Sequence, residues 1–208
     1  VQIVKGRQSA LGDSSGLASW RRSAGAASVR RCRLANSERH ECSAKTKVNP
    51  VSAAAVDEYA VFLPDEAATL ALGNRLAHVI GPGLYVALSG NLGTGKTTLT
   101  RGILRGLGYQ GKVKSPTYTL VERYSLSKLD LYHFDFYRFN DPQEWLDAGF
   151  RDYFEPRNIC LVEWPEQAGD LLPAPDLKIS LDIEGDGRRA RLGAGTEHGK
   201  RCLDRLHD

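Results

Sequence analysis

The chain has 208 residues, 41% of them hydrophobic, and a formal net charge of +3: room for one domain of ordinary size plus a tail. No run of residues reaches bilayer-crossing length. The four cysteines (Cys32, Cys42, Cys160, Cys202) lack paired metal spacing and the five histidines are scattered, which argues against a membrane span or a zinc site and fits a reducing, cytoplasmic compartment.

The charge is divided unevenly, with +7 over residues 1–50 and −4 over the rest. Residues 1–55 are rich in Ser, Ala and Arg, with Arg21-Arg22 and Arg30-Arg31-Cys32-Arg33, and show no sustained apolar period. Such a segment buries too little to offset its chain entropy, so disorder is expected. A nucleic-acid-binding arm, an organelle transit peptide and upstream sequence wrongly included in the gene all fit this composition. The last is favoured, and no functional weight rests on the tail.

The texture changes near Tyr59, and residues 56–208 are assigned to one domain. Val61–Leu63 reads as a strand. Pro64-Asp65-Glu66 starts a helix, with Ala68, Leu72, Leu76 and Val79/Ile80 at helical spacing until Gly81-Pro82-Gly83 stops it. Leu84–Leu88 is an apolar run of strand length. It leads into Gly90-Asn91-Leu92-Gly93-Thr94-Gly95-Lys96-Thr97, which matches Gly, four residues, Gly-Lys-Ser/Thr without a gap; a helix can then run from Thr98 to about Gly106. Strand, loop and helix in that order are the context in which this pattern cradles phosphates. The glycines let successive N–H groups converge on an anion, Lys96 adds a full charge, and the Thr97 hydroxyl is a hard oxygen suited to Mg²⁺. A nucleoside triphosphate is the implied ligand.

Lys112–Thr119 is polar and contains Pro116, so it is not regular helix. Ser115, Thr117 and Thr119 are candidates for a switch that senses the γ-phosphate, and a plain turn between helix and strand fits the spacing equally. Leu120–Tyr124 reads as a strand. In Leu129–Phe136 the alternation places Leu129, Leu131, His133 and Asp135 on one face. His133 reads as a packed strand residue rather than a ligand, whereas an acid at the strand end can orient attacking water or bind the metal. Asp141-Pro142-Gln143-Glu144 begins a short helix. Ile159–Glu163 is a continuous apolar run ending in a second acid, as in a strand buried on both faces of a parallel sheet. Asp135 and Glu163 thus stand at the carboxyl ends of two strands, where open α/β sheets bind their ligands.

Trp164 follows, with an indole able to cover a base or simply pack. Leu177–Ile183 and Arg188–Leu192, joined through Gly185-Asp186-Gly187, read as a terminal antiparallel hairpin, and a last helix spans about Thr196 to Leu206. No internal repeat is found. The fold expected is α/β, a P-loop NTPase-like single domain with a central, mostly parallel sheet flanked by helices. Arg101, Arg105, Lys112 and Lys114 form a basic face, read as solvated rather than as a tRNA or acidic-partner site.

With these residues in view the chain resembles the TsaE family of bacterial P-loop ATPases, which take part in making N6-threonylcarbamoyladenosine at position 37 of tRNA. Four stretches carry the resemblance: the Gly90–Thr97 loop, Val113–Leu120, Tyr132–Arg138 and Leu161–Glu166. The similarity runs from about Phe62 to Leu206. It implies ATP and Mg²⁺ as cofactors, with the loop and its helix start (Asn91, Leu92, Gly93, Thr94, Gly95, Lys96, Thr97, Thr98) on the phosphates. Thr97 and Glu163 would serve the metal, Asp135 and Lys96 catalysis, Trp164 the side of the site, and Glu66 and Thr69 the adenine side.

It further implies TsaD and TsaB as partners, an ATPase that acts on their complex, and tRNA met only indirectly or weakly through it, with no membrane. The family loop usually has Asp and Ala where this chain has Asn91 and Thr94; neither change disables it. A small-molecule kinase on the same fold, with Asp135 deprotonating a substrate hydroxyl, and a nucleotide-gated binding module without hydrolysis are the alternatives.

Overall fold

In the computed structural model residues 58–127 and 129–207 are described; the basic segment predicted over residues 1–55 lies outside the described residues. Seven strands form one sheet in the order β1-β7-β6-β2-β5-β4-β3. The strands are β1 (Glu58–Leu63), β2 (Tyr85–Ser89), β3 (Val121–Ser125), β4 (Asp130–Asp135), β5 (Asn158–Glu163), β6 (Leu177–Glu184) and β7 (Gly187–Ala194). β6, β2, β5 and β4 run parallel to their neighbours within this central group, while β1 and β7 at one edge and β3 at the other add antiparallel pairs. The expected mostly parallel centre is therefore present. The hairpin is less terminal than its sequence position suggests, because β6 pairs directly with β2, the strand before the glycine-rich loop.

Continuous hydrophobicity in β2 and β5 reflects cover on both faces. On one face helices α1 (Glu66–Ala77), α2 (Lys96–Gly106) and α4 (Glu197–His207) contribute to a core that includes Leu72, Leu76, Leu99, Ile103, Leu131, Leu161, Ile179 and Leu203. On the other, the five-residue α3 (Gln143–Asp147) and 3-10 turns at Phe150–Tyr153 and Pro165–Leu171 enclose an aromatic cluster. Phe134 is its centre, contacting Phe136, Trp145, Phe150, Tyr153 and Phe154. The alternation in β4 divides accordingly, with Leu131 in the first core and Phe134 in the second. Burial of Cys160 in β5 pushes its thiol up to about 12, so it behaves as a small apolar side chain.

α1 starts as its sequence predicts, the Asp65 carboxylate accepting from the Ala68 amide at 2.7 Å. It stops at Ala77, short of Val79 and Ile80, because the chain tightens there. His78 N donates to Arg75 O, and Val79 N to Leu76 O. The freed carbonyls of His78 and Val79 accept from Arg205 and Cys202 of α4. α3 is capped reciprocally: Asp141 accepts from Gln143 N, and the Glu144 carboxylate accepts from Asn140 N and Asp141 N.

α1 and α2 touch through glycines. A Cβ on Gly102 would lie 2.5 Å from Leu70 O and 3.0 Å from Gly73 Cα, so the two backbones approach too closely for any side chain. Gly102→Ala is expected to force the helices apart and destabilise the fold by about 2 kcal/mol, within the usual cost of overpacking. That is a fall in Tm of roughly 4–8 °C for a chain this size. An unchanged thermal unfolding midpoint would contradict the backbone contact.

Candidate functional site: a glycine-rich loop beside two strand-end acids

Three strand ends meet at one level. Leu88 in β2 is paired with Glu163 in β5, and Glu163 with Asp135 in β4, so the loop after β2 and the two acids open into the same space. Two of its margins are held in backbone conformations that only tertiary support maintains. Among the described residues Leu120 and Trp164 are the non-glycine residues with left-handed φ, 64° and 57°. Leu120 O accepts from the Asp135 amide at 3.1 Å, and Trp164 N donates to Leu88 O at 3.2 Å. The left-handed turn at Trp164 ends β5 and swings the indole beside the loop.

The loop itself needs its glycines for two reasons. Gly90 and Gly95 have φ of 132° and 103°, and a Cβ on Gly90 would strike the backbone of Leu181. The amides of Gly93, Gly95, Lys96 and Thr97 have no hydrogen-bond acceptor among the described residues, the donor array that a helix start offers to an anion. Thr94, almost fully buried, donates its hydroxyl to Asn91 O at 2.9 Å and so closes the loop.

The Lys96 ammonium is folded back, donating to Gly90 O at 2.6 Å and Asn91 O at 3.0 Å and sitting 4.0 Å over the Trp164 ring. Burial lowers its pKa from the ordinary lysine value, opposed by the nearby carboxylates of Glu163, Asp135 and Glu166.

Around the loop lies a pocket of about 470 Å³. Leu92, Gly93, Gly95, Lys96, Thr97, Thr98, Asp135, Glu163 and Trp164 line it, together with Ser115, Thr117, Tyr118, Tyr137 and Arg138. The two acids are almost completely buried and differently held. Asp135 accepts from the Ser115 and Thr117 hydroxyls on Oδ2, at 2.5 and 2.6 Å, and from the Tyr137 amide on Oδ1 at 3.0 Å. Glu163 takes two contacts on Oε1, from the Thr97 hydroxyl at 2.8 Å and from His133 Nε2 at 2.8 Å. Thr97 and Glu163 thus bring two hard oxygen donors together beside the glycine-rich loop, a donor set whose chemistry fits Mg²⁺.

The chain belongs to the TsaE family. The family model described as "Threonylcarbamoyl adenosine biosynthesis protein TsaE" matches residues 63–191, which span every element from the end of β1 into β7. The chain is 45% identical over 147 residues to a tRNA threonylcarbamoyladenosine biosynthesis protein TsaE of Haemophilus influenzae, covering 68% of this chain and 93% of the relative. It is 40% identical over 126 residues to the protein of that name from Bacillus subtilis, covering 61% and 77%. A crystal structure of Bacillus subtilis YdiB superposes with a TM-score of 0.64 at 29% identity, covering 73% of this chain and 95% of the other.

Not every residue singled out from the TsaE resemblance lines the pocket. Glu66 is exposed and pairs with Arg101 at 2.9 Å. Thr69 is fully buried behind the loop, where it donates to Asp65 O and accepts from Arg188 at 3.2 Å. Asn91 contributes its carbonyl to Lys96. Of the basic face, Arg101 is engaged by Glu66, Arg105 donates to Tyr109 O, and Lys112 and Lys114 border a small groove with Glu122 and Arg123.

Three features escaped the sequence reading. His133 is packed, as expected, but also touches a site acid; the available signal was its place two residues before Asp135 on the same strand face. Tyr118 is strongly exposed and stacks under the Arg138 guanidinium at 4.4 Å, and Tyr137 meets Trp164 with ring centroids 5.1 Å apart. Their positions depend on turns that hydrophobic periodicity does not encode.

Proposed function

We propose that this chain is a Mg²⁺-dependent ATPase subunit of tRNA threonylcarbamoyladenosine biosynthesis that acts on a TsaD–TsaB complex in the cytoplasm. The observation that carries the catalytic part is the convergence of the phosphate loop, the Thr97–Glu163 pair and the buried Asp135 on one pocket. The biosynthetic part rests on family membership and on the names of the relatives. Among the described residues no helix is long and apolar enough to cross a membrane.

In this reading the free amides of Gly93, Gly95, Lys96 and Thr97 receive the β-phosphate and its neighbours, and Lys96 leaves the two loop carbonyls for the β- and γ-phosphates. Thr97 and Glu163 would hold Mg²⁺, which when bound screens phosphate charge and supports the leaving group. Asp135 orients the attacking water, and the hydroxyls of Ser115 and Thr117 fix its carboxylate. Glu66 and Thr69, outside the pocket lining, are assigned by the family resemblance to the adenine side. Trp164 and Tyr137 wall the site away from bulk water.

The test is steady-state ATP hydrolysis by the full chain, alone and with a TsaD–TsaB pair. Slow turnover alone that rises severalfold with the pair is the expected result. Turnover indifferent to the pair would instead favour an independent kinase or hydrolase.

A further inference from the structure

We propose that His133 is a positioning residue that holds Glu163 ready for the metal of the nucleotide site, an inference that rests on the Mg²⁺ reading above. The imidazole is fully buried in β4, yet among the described residues it makes one hydrogen bond, from Nε2 to Glu163 Oε1 at 2.8 Å. Its other nitrogen, Nδ1, is buried with no partner among the described residues. A leucine of similar volume would fill a strand position between Glu122 and Leu161 without burying an unsatisfied ring nitrogen. Packing alone therefore does not account for the histidine, and its bond to Glu163 does.

That bond has a directional consequence. An ionised carboxylate only accepts, so Nε2 carries the proton and donates. It shares Oε1 with the Thr97 hydroxyl, and Oε2 keeps no hydrogen bond among the described residues. One oxygen of Glu163 is thereby tied to the neighbouring strand while the carboxylate still borders the pocket. Groups that grip a metal-binding carboxylate from behind restrict its orientation, and their loss typically weakens the metal by about 10- to 100-fold. His133 and Glu163 lie on adjacent parallel strands, two register positions apart, so the grip is rigid.

The experiment compares the unmodified full chain with His133→Leu and His133→Gln. ATP affinity is measured by calorimetry in chelator and then across a magnesium titration, with thermal unfolding recorded alongside. Leucine removes the donor; glutamine carries an amide N–H at about the reach of Nε2. We expect His133→Leu to raise the magnesium concentration for half-maximal effect by about tenfold or more, with ATP affinity in chelator unchanged. His133→Gln should recover most of that loss.

An equal shift in both variants would overturn the proposal, since the donor would then be irrelevant. So would a loss of affinity as large in chelator as in magnesium, which would mark His133 as structural. If the unmodified chain bound ATP with no response to magnesium, the metal reading itself would fall and this role with it, an outcome visible in the unmodified arm alone.

Discussion

Replacing Asp135 with asparagine is expected to leave ATP bound in the presence of magnesium and to cut hydrolysis by about 10²- to 10⁴-fold, the range for losing a positioned acid or base. The substitution suits the site because the geometry tolerates it. The asparagine oxygen can take the Tyr137 amide now on Oδ1, and its NH₂ can face the Ser115 and Thr117 hydroxyls that now donate to Oδ2. Each hydroxyl has lone pairs to accept instead, so the segment stays in place while the negative charge is lost.

Single-turnover hydrolysis beside equilibrium ATP binding separates the two effects. Hydrolysis at the unmodified rate would remove Asp135 from the chemistry. A loss of binding equal to the loss of rate would make it a ligand-holding or structural group.

Lys96→Ala is expected to weaken ATP binding by roughly a hundredfold, about 3 kcal/mol, as removal of charge-assisted bonds to two phosphates requires. The same amine now satisfies Gly90 O and Asn91 O and lies against Trp164, so the loop also loses an internal clasp. AMP provides the control because it has no β- or γ-phosphate. Its affinity should change little if Lys96 acts on the outer phosphates. A loss for AMP as large as for ATP would mean that the loop had collapsed. Comparing the two nucleotides by calorimetry decides between these.

The parts of this site that were legible were local ones. The Gly90–Thr97 pattern states its own geometry, since glycine spacing, a lysine and a hydroxyl following an apolar strand leave few alternatives. Asp135 and Glu163 were recognisable as strand-end acids because each closes a run with strand composition. The Asp141–Glu144 cap was equally local, being a set of contacts within four residues.

Illegible from local pattern were the contacts made across the sheet or through turns. Ser115 and Thr117 were candidate phosphate sensors, yet what they touch is Asp135, some twenty residues on, and only folding of the polar segment against β4 makes that pair. The end of α1 was misjudged for a similar reason. Apolar spacing continues through Val79 and Ile80, but the chain tightens there, Val79 N turning to Leu76 O, and α4, more than a hundred residues later, caps the carbonyls of His78 and Val79 beyond the helix end.

By itself, then, the amino-acid sequence determined the α/β class, the glycine-rich loop ahead of α2 and the acids that close β4 and β5, because these depend on spacing within a single segment. The tertiary structure decided which acid faces which group. The β4–β5 register sets Asp135 beside Glu163, and the same ladder brings His133 to within 2.8 Å of Glu163. Strand order likewise put β6 in the middle of the sheet rather than at a terminal edge. The physical reason is that a strand's alternation specifies which side chains share a face but not which neighbour it meets. That choice is made by hydrogen-bond pairing and by burial of both faces of the sheet together.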